Sequence, residues 1–163
     1  MKTYIIILHY GKLEVTQKCI DSLAEHDTSF EKIVLLNNDR NITLSLSQFR
    51  SVNKKLHIIN NKENFGFAAG VNIGIRFSLQ KNADYIFLLN NDTMIEKDFL
   101  KKLFDVFQKD SRIGIIGPAI SFHRNGKTIY DVGGKLNSFF GRTSHKEIEE
   151  IVDLQPKIVQ YVK

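Results

Sequence analysis

A chain of 163 residues, 42% of them hydrophobic, is long enough to bury one core and predicts a single domain over residues 1–163. Its one cysteine, Cys19, excludes an internal disulfide and a cysteine-based metal cluster, which favours a reducing environment such as the cytoplasm. The net charge of +5 suits a phosphorylated small molecule or an anionic surface, whereas the lack of like-charge blocks disfavours nucleic acid.

The apolar runs of the chain are about five residues long, which is typical of buried strands and far short of the ~20 residues needed to cross a bilayer. In the first part of the chain these runs alternate with segments whose apolar residues recur at helical spacing. The alternation predicts strands at residues 4–8, 33–36, 56–59 and 85–89 and helices at residues 13–25, 43–52 and 66–80.

A fourth helix over residues 95–107 and a fifth strand over residues 113–116 continue this pattern. Strands that alternate with helices imply right-handed crossovers and a mainly parallel sheet, hence a Rossmann-like three-layer α/β/α sandwich. After Pro118 the pattern changes to a hairpin formed by residues 119–122 and 128–132. Beyond the hairpin we expect a loop over residues 137–150 and the beginning of a strand at residues 158–163.

Polar residues follow each of the first four predicted strands, at His9-Tyr10 and at residues 37–39, 60–64 and 90–92. Each cluster alone is equally typical of a turn. The carboxyl ends of parallel strands lie along one edge of a sheet, where ligands of such folds bind, so four clusters together favour a ligand crevice. They offer hydrogen-bonding groups and carboxylates, but no nucleophile with a matching base.

Asn90-Asn91-Asp92 is the most informative of these clusters, because it directly follows a strand that reads as buried on both faces. A carboxylate there can hold a hard divalent cation whose other ligands are phosphate oxygens and waters. An ordinary turn explains the same residues, and both interpretations stay open at this point.

The segment 64–74 is the second informative one, because it places Gly66, Gly70 and Gly74 at the beginning of a predicted helix. Small residues allow such a helix to approach a ligand or to pack closely on the sheet, and a helix N-terminus favours phosphate. The segment matches neither the dinucleotide-binding glycine pattern nor a P-loop.

In their order and spacing, these segments resemble the nucleotide-sugar-binding part of an inverting family 2 glycosyltransferase with the GT-A fold, in particular its rhamnosyltransferase-like branch. Residues 64–74 are similar to the family's Asn-x-Gly-x-x-x-Gly-x-Asn-x-Gly pattern, and residues 88–93 resemble the branch's variant of the Asp-x-Asp motif. The first two strands, residues 113–118 and Gly133-Gly134 extend the resemblance over essentially the whole chain.

The resemblance implies that the chain binds an NDP-sugar donor, with dTDP, UDP or GDP as the nucleotide, for inverting transfer to a saccharide or lipid-linked acceptor in polysaccharide biosynthesis. It also implies that Asp92 binds Mg²⁺ or Mn²⁺ at the diphosphate. The residues that the resemblance assigns to the nucleotide sugar are His9, Tyr10, Asn37, Asp39, Asn64, Gly66, Gly70, Asn90 and Asn91.

Three positions depart from the family pattern: Gly11, Asn37 and the pair Asp39-Arg40. They leave the identity of the nucleobase open. Asp39 is alternatively a surface turn residue paired with Arg40.

The catalytic residue of the transfer is not identified in this sequence. The family's general base lies in an acidic motif downstream of the segment that residues 159–163 resemble, so we expect the base beyond Lys163 and a truncated donor-binding part up to that residue. Besides Asp131, the late carboxylates that remain are Glu147, Glu149 and Glu150.

A non-catalytic nucleotide-binding or assembly module is therefore the alternative to a hexosyltransferase-type enzyme. A methyltransferase is disfavoured because only Gly11 follows the first strand, and a phospho-acceptor regulator because Asn60-Asn61 follows the third. We expect a cytoplasmic location, with the full-length protein associated peripherally with the inner face of the membrane.

Overall fold

The computed structural model describes residues 1–137, 139 and 141–149, and in this part the chain forms two compact units, one of Met1–Leu100 and one that begins at Lys101. One domain over the whole chain stays a prediction. The helices and strands are, in chain order, β1 (Thr3–His9), α1 (Leu13–His26), β2 (Lys32–Asn37), β3 (Leu56–Asn60), α2 (Gly66–Gln80), β4 (Tyr85–Asn90), α3 (Phe99–Phe107), β5 (Ile120–Arg124), β6 (Lys127–Asn137) and β7 (Arg142–Ile148).

The first unit contains a four-stranded sheet in the order β3-β2-β1-β4, and every neighbouring pair in it is parallel. The register places His9 beside Asn37, and Asn37 beside Asn60. On the other side of β1, Leu8 lies beside Asn90. The predicted parallel sheet with a polar edge is therefore confirmed.

Helices cover both faces of this sheet. Strand residues such as Ile6 and Leu36 pack in one buried cluster with Val71 of α2. Because side chains alternate along a strand, His9 points to the opposite face, and there its ring bonds to Thr16 of α1. The first unit therefore has the predicted order of layers, with α1 on one face of the sheet and α2 on the other.

Two glycines allow α2 to lie unusually close to the sheet. A Cβ atom at Gly74 would stand 2.9 Å from Ile6 Cγ2 and 3.0 Å from Leu36 Cδ1. A Cβ atom at Gly70 would stand 2.8 Å from Leu8 Cδ1. These distances are shorter than ordinary carbon contacts, so a side chain at either position would force the neighbouring side chains of the sheet to shift.

Up to Pro118, three sequence predictions about the elements are wrong in whole or in part. The helix predicted at residues 43–52 is replaced by two short 3₁₀ helices, Leu46–Gln48 and Arg50–Lys55, with a break in backbone conformation at Val52. The helix predicted from residue 95 begins only at Phe99. Residues 113–116 form no strand among the described residues, because Gly114 weakens a strand and Gly117-Pro118 removes a ladder donor.

The second unit contains an antiparallel sheet in the order β5-β6-β7. Its first two strands confirm the predicted hairpin, whose turn residues Asn125 and Gly126 both have positive φ, as a type I′ turn requires. The loop predicted at residues 137–150 is wrong, because Arg142–Ile148 is a strand. The residues of this strand are polar except for Ile148. They pair with β6 although they offer little apolar surface. The strand predicted at residues 158–163 lies outside the described residues.

Among the described residues, no helix has both the length and the apolar character that crossing a bilayer requires.

Replacing Gly74 by valine tests the close approach of α2. We expect Gly74→Val to lower the free energy of unfolding by about 1–3 kcal/mol, because the added carbons overlap Ile6 and Leu36. Urea denaturation measures this change. The control is Ala68→Val at an exposed position of the same helix, for which we expect a change of about 0.5 kcal/mol or less. Equal stability of the two variants would contradict the packing argument.

Candidate functional site

The candidate site is the edge of the parallel sheet where β1, β2, β3 and β4 end. At the end of β1, the His9 side chain is fully buried, and its Nδ1 lies 2.7 Å from the Thr16 hydroxyl. Its Nε2 has no hydrogen-bond partner in the described part of the chain. Burial lowers the pKa of His9 below its ordinary value, and the nearby Asp39 carboxylate opposes this in part. Burial therefore favours the neutral imidazole of His9 in the folded state, with one uncommitted nitrogen.

Tyr10 and Gly11 carry the chain from β1 towards α1. Tyr10 is 62% exposed, so its ring is accessible at the edge of the sheet. Gly11 has φ of +88°, a conformation that glycine adopts without strain. The predicted site residue Tyr10 is thus free to contact a ligand by stacking or through its hydroxyl.

Asn37, at the end of β2, is almost fully buried, and its amide is fully engaged. Its Nδ2 donates to the Ile42 carbonyl at 2.7 Å and to Asn60 Oδ1 at 2.9 Å. Its Oδ1 accepts the backbone N–H of Asp39 at 3.0 Å. In this conformation the side chain fixes the β2–β3 edge and orients Asp39, and no donor is left over for a ligand.

Asn38 was not among the predicted site residues, yet it connects the end of β2 to the beginning of α2. Its side chain is 2% exposed. Its Nδ2 donates to Asn64 Oδ1 at 2.7 Å and to the Gly66 carbonyl at 3.2 Å. Its Oδ1 accepts from Asn61 Nδ2 at 3.1 Å and from the Phe65 backbone N–H at 3.2 Å. One buried amide thus holds the loop between β3 and α2.

Asp39 is half-buried and begins a turn. Its Oδ1 accepts both the backbone N–H and the side-chain amide of Asn41, each at 2.9 Å. The predicted turn role is confirmed, whereas the structure shows no ion pair with Arg40 among the described residues. The second carboxylate oxygen makes no hydrogen bond in this part of the chain and is available to a ligand.

Asn64 and Gly66 form the entry to α2. Asn64 Oδ1 accepts the Gly66 N–H at 2.8 Å as well as the Asn38 amide. Gly66 has φ of +72°, which favours glycine at this position. No atom lies within 4 Å of a Cβ built at Gly66, so there is open space beside it, in contrast to the crowded Gly70.

The Asn90–Asp92 turn follows β4. The Asn90 side chain is exposed. The backbone carbonyl of Asn90 accepts the Cys19 thiol at 3.5 Å and the Thr93 N–H at 3.3 Å. Asn91 Nδ2 donates to the Thr16 hydroxyl at 3.0 Å. Asp92 is exposed, and its carboxylate makes no hydrogen bond or ion pair with any described residue.

A divalent cation fits Asp92 only as a shared ligand. Among the described residues there is no group of three or more histidine, cysteine or acidic side chains that could enclose a metal. The uncommitted Asp92 carboxylate is the oxygen ligand that Mg²⁺ or Mn²⁺ prefers, and such ions commonly take one or two carboxylates together with substrate phosphates. Cys19 is not a competing soft ligand, because burial raises the pKa of its thiol to about 12.

The described carboxylates near the end of the chain form ion pairs or hydrogen bonds within the second unit. Glu147 pairs with Arg124 at 2.8 Å, and Glu149 pairs with Lys127 at 2.8 Å. Asp131 accepts the Gly133 N–H at 3.0 Å beside the bulge in β6. These contacts give the described late carboxylates structural roles.

The expected position of the general base is not reached by the described residues. Lys163, beyond which we expect the base, lies outside them, and so does Glu150. The assignment of the base to a position after Lys163 therefore stays a prediction. Asp39, Glu63 and Asp92 are carboxylates that follow strands of the parallel sheet, and we assign the role of the base to none of them.

Sequence reasoning missed Thr16 and Asn38, and the signals for them differ. Asn38 stands inside a predicted polar cluster, and the register of β2 alone would have pointed it to the face opposite that of Asn37. Thr16 gives no signal, because a threonine inside an amphipathic helix is common and only the fold brings both His9 and Asn91 to it.

Removing the Asn38 amide tests its role in the site. We expect Asn38→Ala to lower the free energy of unfolding by about 2–3 kcal/mol, because it leaves buried polar partners unpaired. Asn41→Ala is the matched control at an exposed position, with an expected change of about 0.5 kcal/mol or less. Chemical denaturation measures both. A stable Asn38→Ala variant with intact ligand binding would contradict the assignment.

The lowered pKa of His9 predicts a pH dependence of stability. Because the folded state disfavours protonation of this ring, the unfolded state binds more protons below the ordinary histidine pKa of about 6.5. The contribution of His9 to the free energy of unfolding should therefore be fully present above that pH. It should be lost progressively as the pH is lowered towards 5. Denaturation curves of the wild type and His9→Gln between pH 8 and 5 measure this, and parallel curves would contradict it. His57, whose pKa is also lowered, contributes equally to both proteins.

A curated relative and two solved structures are similar to this chain. Over 116 residues the chain is 32% identical to the dTDP-rhamnosyl transferase RfbF of Shigella flexneri, an alignment that covers 71% of the chain and 37% of the relative. The chain thus spans less than two-fifths of the length of this relative.

The two solved structures share the fold. The TarS 1-349 structure of S. aureus in complex with UDP-GlcNAc matches with a TM-score of 0.53 and 18% identity, over 82% of this chain and 40% of that one. The mannosyltransferase PcManGT of Pyrobaculum calidifontis, in complex with GDP-Man and Mn²⁺, matches with a TM-score of 0.50 and 14% identity, over 76% of this chain and 36% of that one. The predicted GT-A type of α/β fold is confirmed.

The family model that matches this chain is Glycosyl transferase family 2, and it covers residues 4–158. The match extends over nearly the whole sequence, including the polar strand ends and the Asn90–Asp92 turn. The resemblance that the motifs indicated is confirmed, and the chain belongs to glycosyl transferase family 2.

Proposed function

We propose that this chain forms the donor-binding part of a glycosyltransferase that takes an NDP-sugar together with a divalent cation. The observation that carries the proposal is the parallel register, which brings the polar ends of four strands to one edge beside the uncommitted Asp92 carboxylate. The dTDP-rhamnosyl transferase relative and the nucleotide sugars bound in the TarS and PcManGT structures support the same class of donor.

The nucleoside is the part of the donor that we assign to the ends of β1 and β2. Tyr10 offers an exposed aromatic ring, on which a base or a ribose can stack. Asp39 offers a free carboxylate oxygen that can accept an N–H of the base or a ribose hydroxyl. His9 lies at the end of β1, with a buried Nε2 that has no partner among the described residues. Which of the three nucleotides is bound depends on these contacts.

We assign the diphosphate and the sugar to the ends of β3 and β4. Asp92 would hold the cation, and the exposed Asn90 and the neighbouring Asn91 lie next to it in the chain. A bound Mg²⁺ or Mn²⁺ stabilises the negative charge that builds up on the leaving diphosphate. The open space beside Gly66, at the N-terminus of α2, suits the close approach of a phosphate oxygen.

In this proposal, the remaining predicted contact residues position other parts of the site and do not themselves bind the donor. They are Asn37, Asn64 and Gly70. Asn37 and Asn64 hold Asp39 and Gly66 by hydrogen bonds, and Gly70 allows α2 to approach β1.

The transfer of the sugar to an acceptor is proposed for the whole protein and not for this chain alone. We assign no general base up to Lys163, and the inverting transfer to a saccharide or lipid-linked acceptor in polysaccharide biosynthesis would use one beyond that residue. The cytoplasmic location, where the lone cysteine stays reduced, is part of the same proposal.

A non-catalytic nucleotide-binding or assembly module is the second candidate. The ion pairs of Glu147 and Glu149 favour it, because they leave these late carboxylates engaged and not poised to accept a proton. Both candidates predict donor binding, and they differ in whether an acceptor hydroxyl is glycosylated.

Metal-dependent nucleotide binding tests the proposal. We expect dTDP, UDP or GDP to bind with an affinity that Mn²⁺ raises, and Asp92→Asn to remove this gain, on the order of tenfold, while the free protein stays folded. Isothermal titration with each diphosphate, with and without Mn²⁺, measures the effect.

Glu63→Gln is the matched control, because it removes one exposed negative charge at the same edge of the sheet, after β3. We expect its Mn²⁺ dependence to equal that of the wild type. If Asp92→Asn behaves like this control, or if none of the three diphosphates binds the wild type, the proposed function is wrong.

A further inference from the structure

Thr16 lies in the middle of α1 and joins two parts of the candidate site that are far apart in sequence. Its side chain is fully buried. Its hydroxyl stands 2.7 Å from Nδ1 of His9, at the end of β1, and 3.0 Å from Nδ2 of Asn91, in the turn after β4. The two contacts therefore connect the proposed nucleoside side of the edge to the proposed metal side.

The chemistry of the three groups assigns the protons. An asparagine Nδ2 can only donate, so the Thr16 oxygen accepts from Asn91. A hydroxyl carries a single proton, and among the described contacts of Thr16 the only acceptor for that proton is His9 Nδ1. Pairing of that proton requires an unprotonated Nδ1, which leaves the proton of the neutral ring on Nε2.

We propose that Thr16 is a positioning residue of the donor site, which holds His9 as the Nε2–H tautomer and anchors Asn91 beside the metal ligand Asp92. The Nε2–H is then a buried donor with no partner among the described residues, and a nucleotide oxygen that reaches it would satisfy it. The part of the inference that concerns the ligand rests on the proposed function. The tautomer and the anchoring of Asn91 are properties of the free protein.

Two variants separate the hydroxyl from the volume of the side chain. Thr16→Val keeps the branched shape and removes the hydroxyl, so that Nδ1 and the Asn91 amide lose their shared partner. Thr16→Ser keeps the hydroxyl and loses one methyl group. A purely structural role as a core side chain predicts that valine is tolerated better than serine, whereas the proposal predicts the opposite order for ligand binding.

The tautomer is measured on the free protein. Nitrogen chemical shifts of ¹⁵N-histidine-labelled protein at pH 8 distinguish a protonated from an unprotonated ring nitrogen, and the spectrum of His9→Gln identifies the His9 signals. We expect Nε2 protonated and Nδ1 unprotonated in the wild type and in Thr16→Ser, and a mixture of tautomers in Thr16→Val. A wild-type ring with its proton on Nδ1 would overturn the proposal, whatever the ligand.

Ligand binding is measured by titrating Mn²⁺ into each protein in the presence of dTDP, UDP or GDP. We expect Thr16→Val to bind Mn²⁺ about five- to tenfold more weakly than the wild type and Thr16→Ser to stay within about twofold, with urea denaturation confirming that both variants fold. Equal Mn²⁺ affinity in Thr16→Val and the wild type would overturn the anchoring of Asn91. If the wild type binds no nucleotide at all, the proposed function fails, and the tautomer measurement alone then decides the inference about Thr16.

Discussion

His9 of β1 stands beside Asn37 of β2, and Leu8 beside Asn90 of β4, because the strands pair in parallel and in register. The candidate site depends on this constraint. A shift of one residue in either pairing would turn the end of a strand to the other face of the sheet and separate the polar groups. The apolar interiors of β1 and β2, nearly all fully buried, hold the register, so the core of the first unit positions its functional edge.

At that edge, buried amides replace the apolar contacts that hold the strands. Asn37 and Asn38 are adjacent and point to opposite faces, and between them they bind the loops after β2 and β3. A polar network in such a place is stable only when nearly all of its members are paired, which the Asn37 and Asn38 side chains achieve. Asn37 also holds the backbone of Asp39, whose second carboxylate oxygen stays free. At the end of β4, the Asp92 carboxylate is free as well among the described residues.

The sequence predicted the parallel sheet and its polar edge because both depend on local signals, namely apolar runs and the residues directly after them. It failed where pairing is not local. The apolar residues 113–116 read as a strand, but the glycines and Pro118 around them weaken the ladder, whereas the polar Arg142–Ile148 became a strand through its partner β6. Within the site, Asp92 was predicted from its place after β4, and its role as a metal ligand stays a prediction. Thr16 was not, because its importance comes from two side chains that only the fold brings to it.

The central claim is that the polar edge of the parallel sheet binds a nucleotide together with a metal ion at Asp92. Paramagnetic broadening of backbone amide signals by Mn²⁺, with a nucleoside diphosphate present, tests it most directly, because the effect falls steeply with distance from the metal. We predict strong loss of signal for residues 91–93 and weaker loss for residues 9–11. Broadening centred on Glu147 and Glu149 of the second unit, with residues 91–93 unaffected, would contradict the claim.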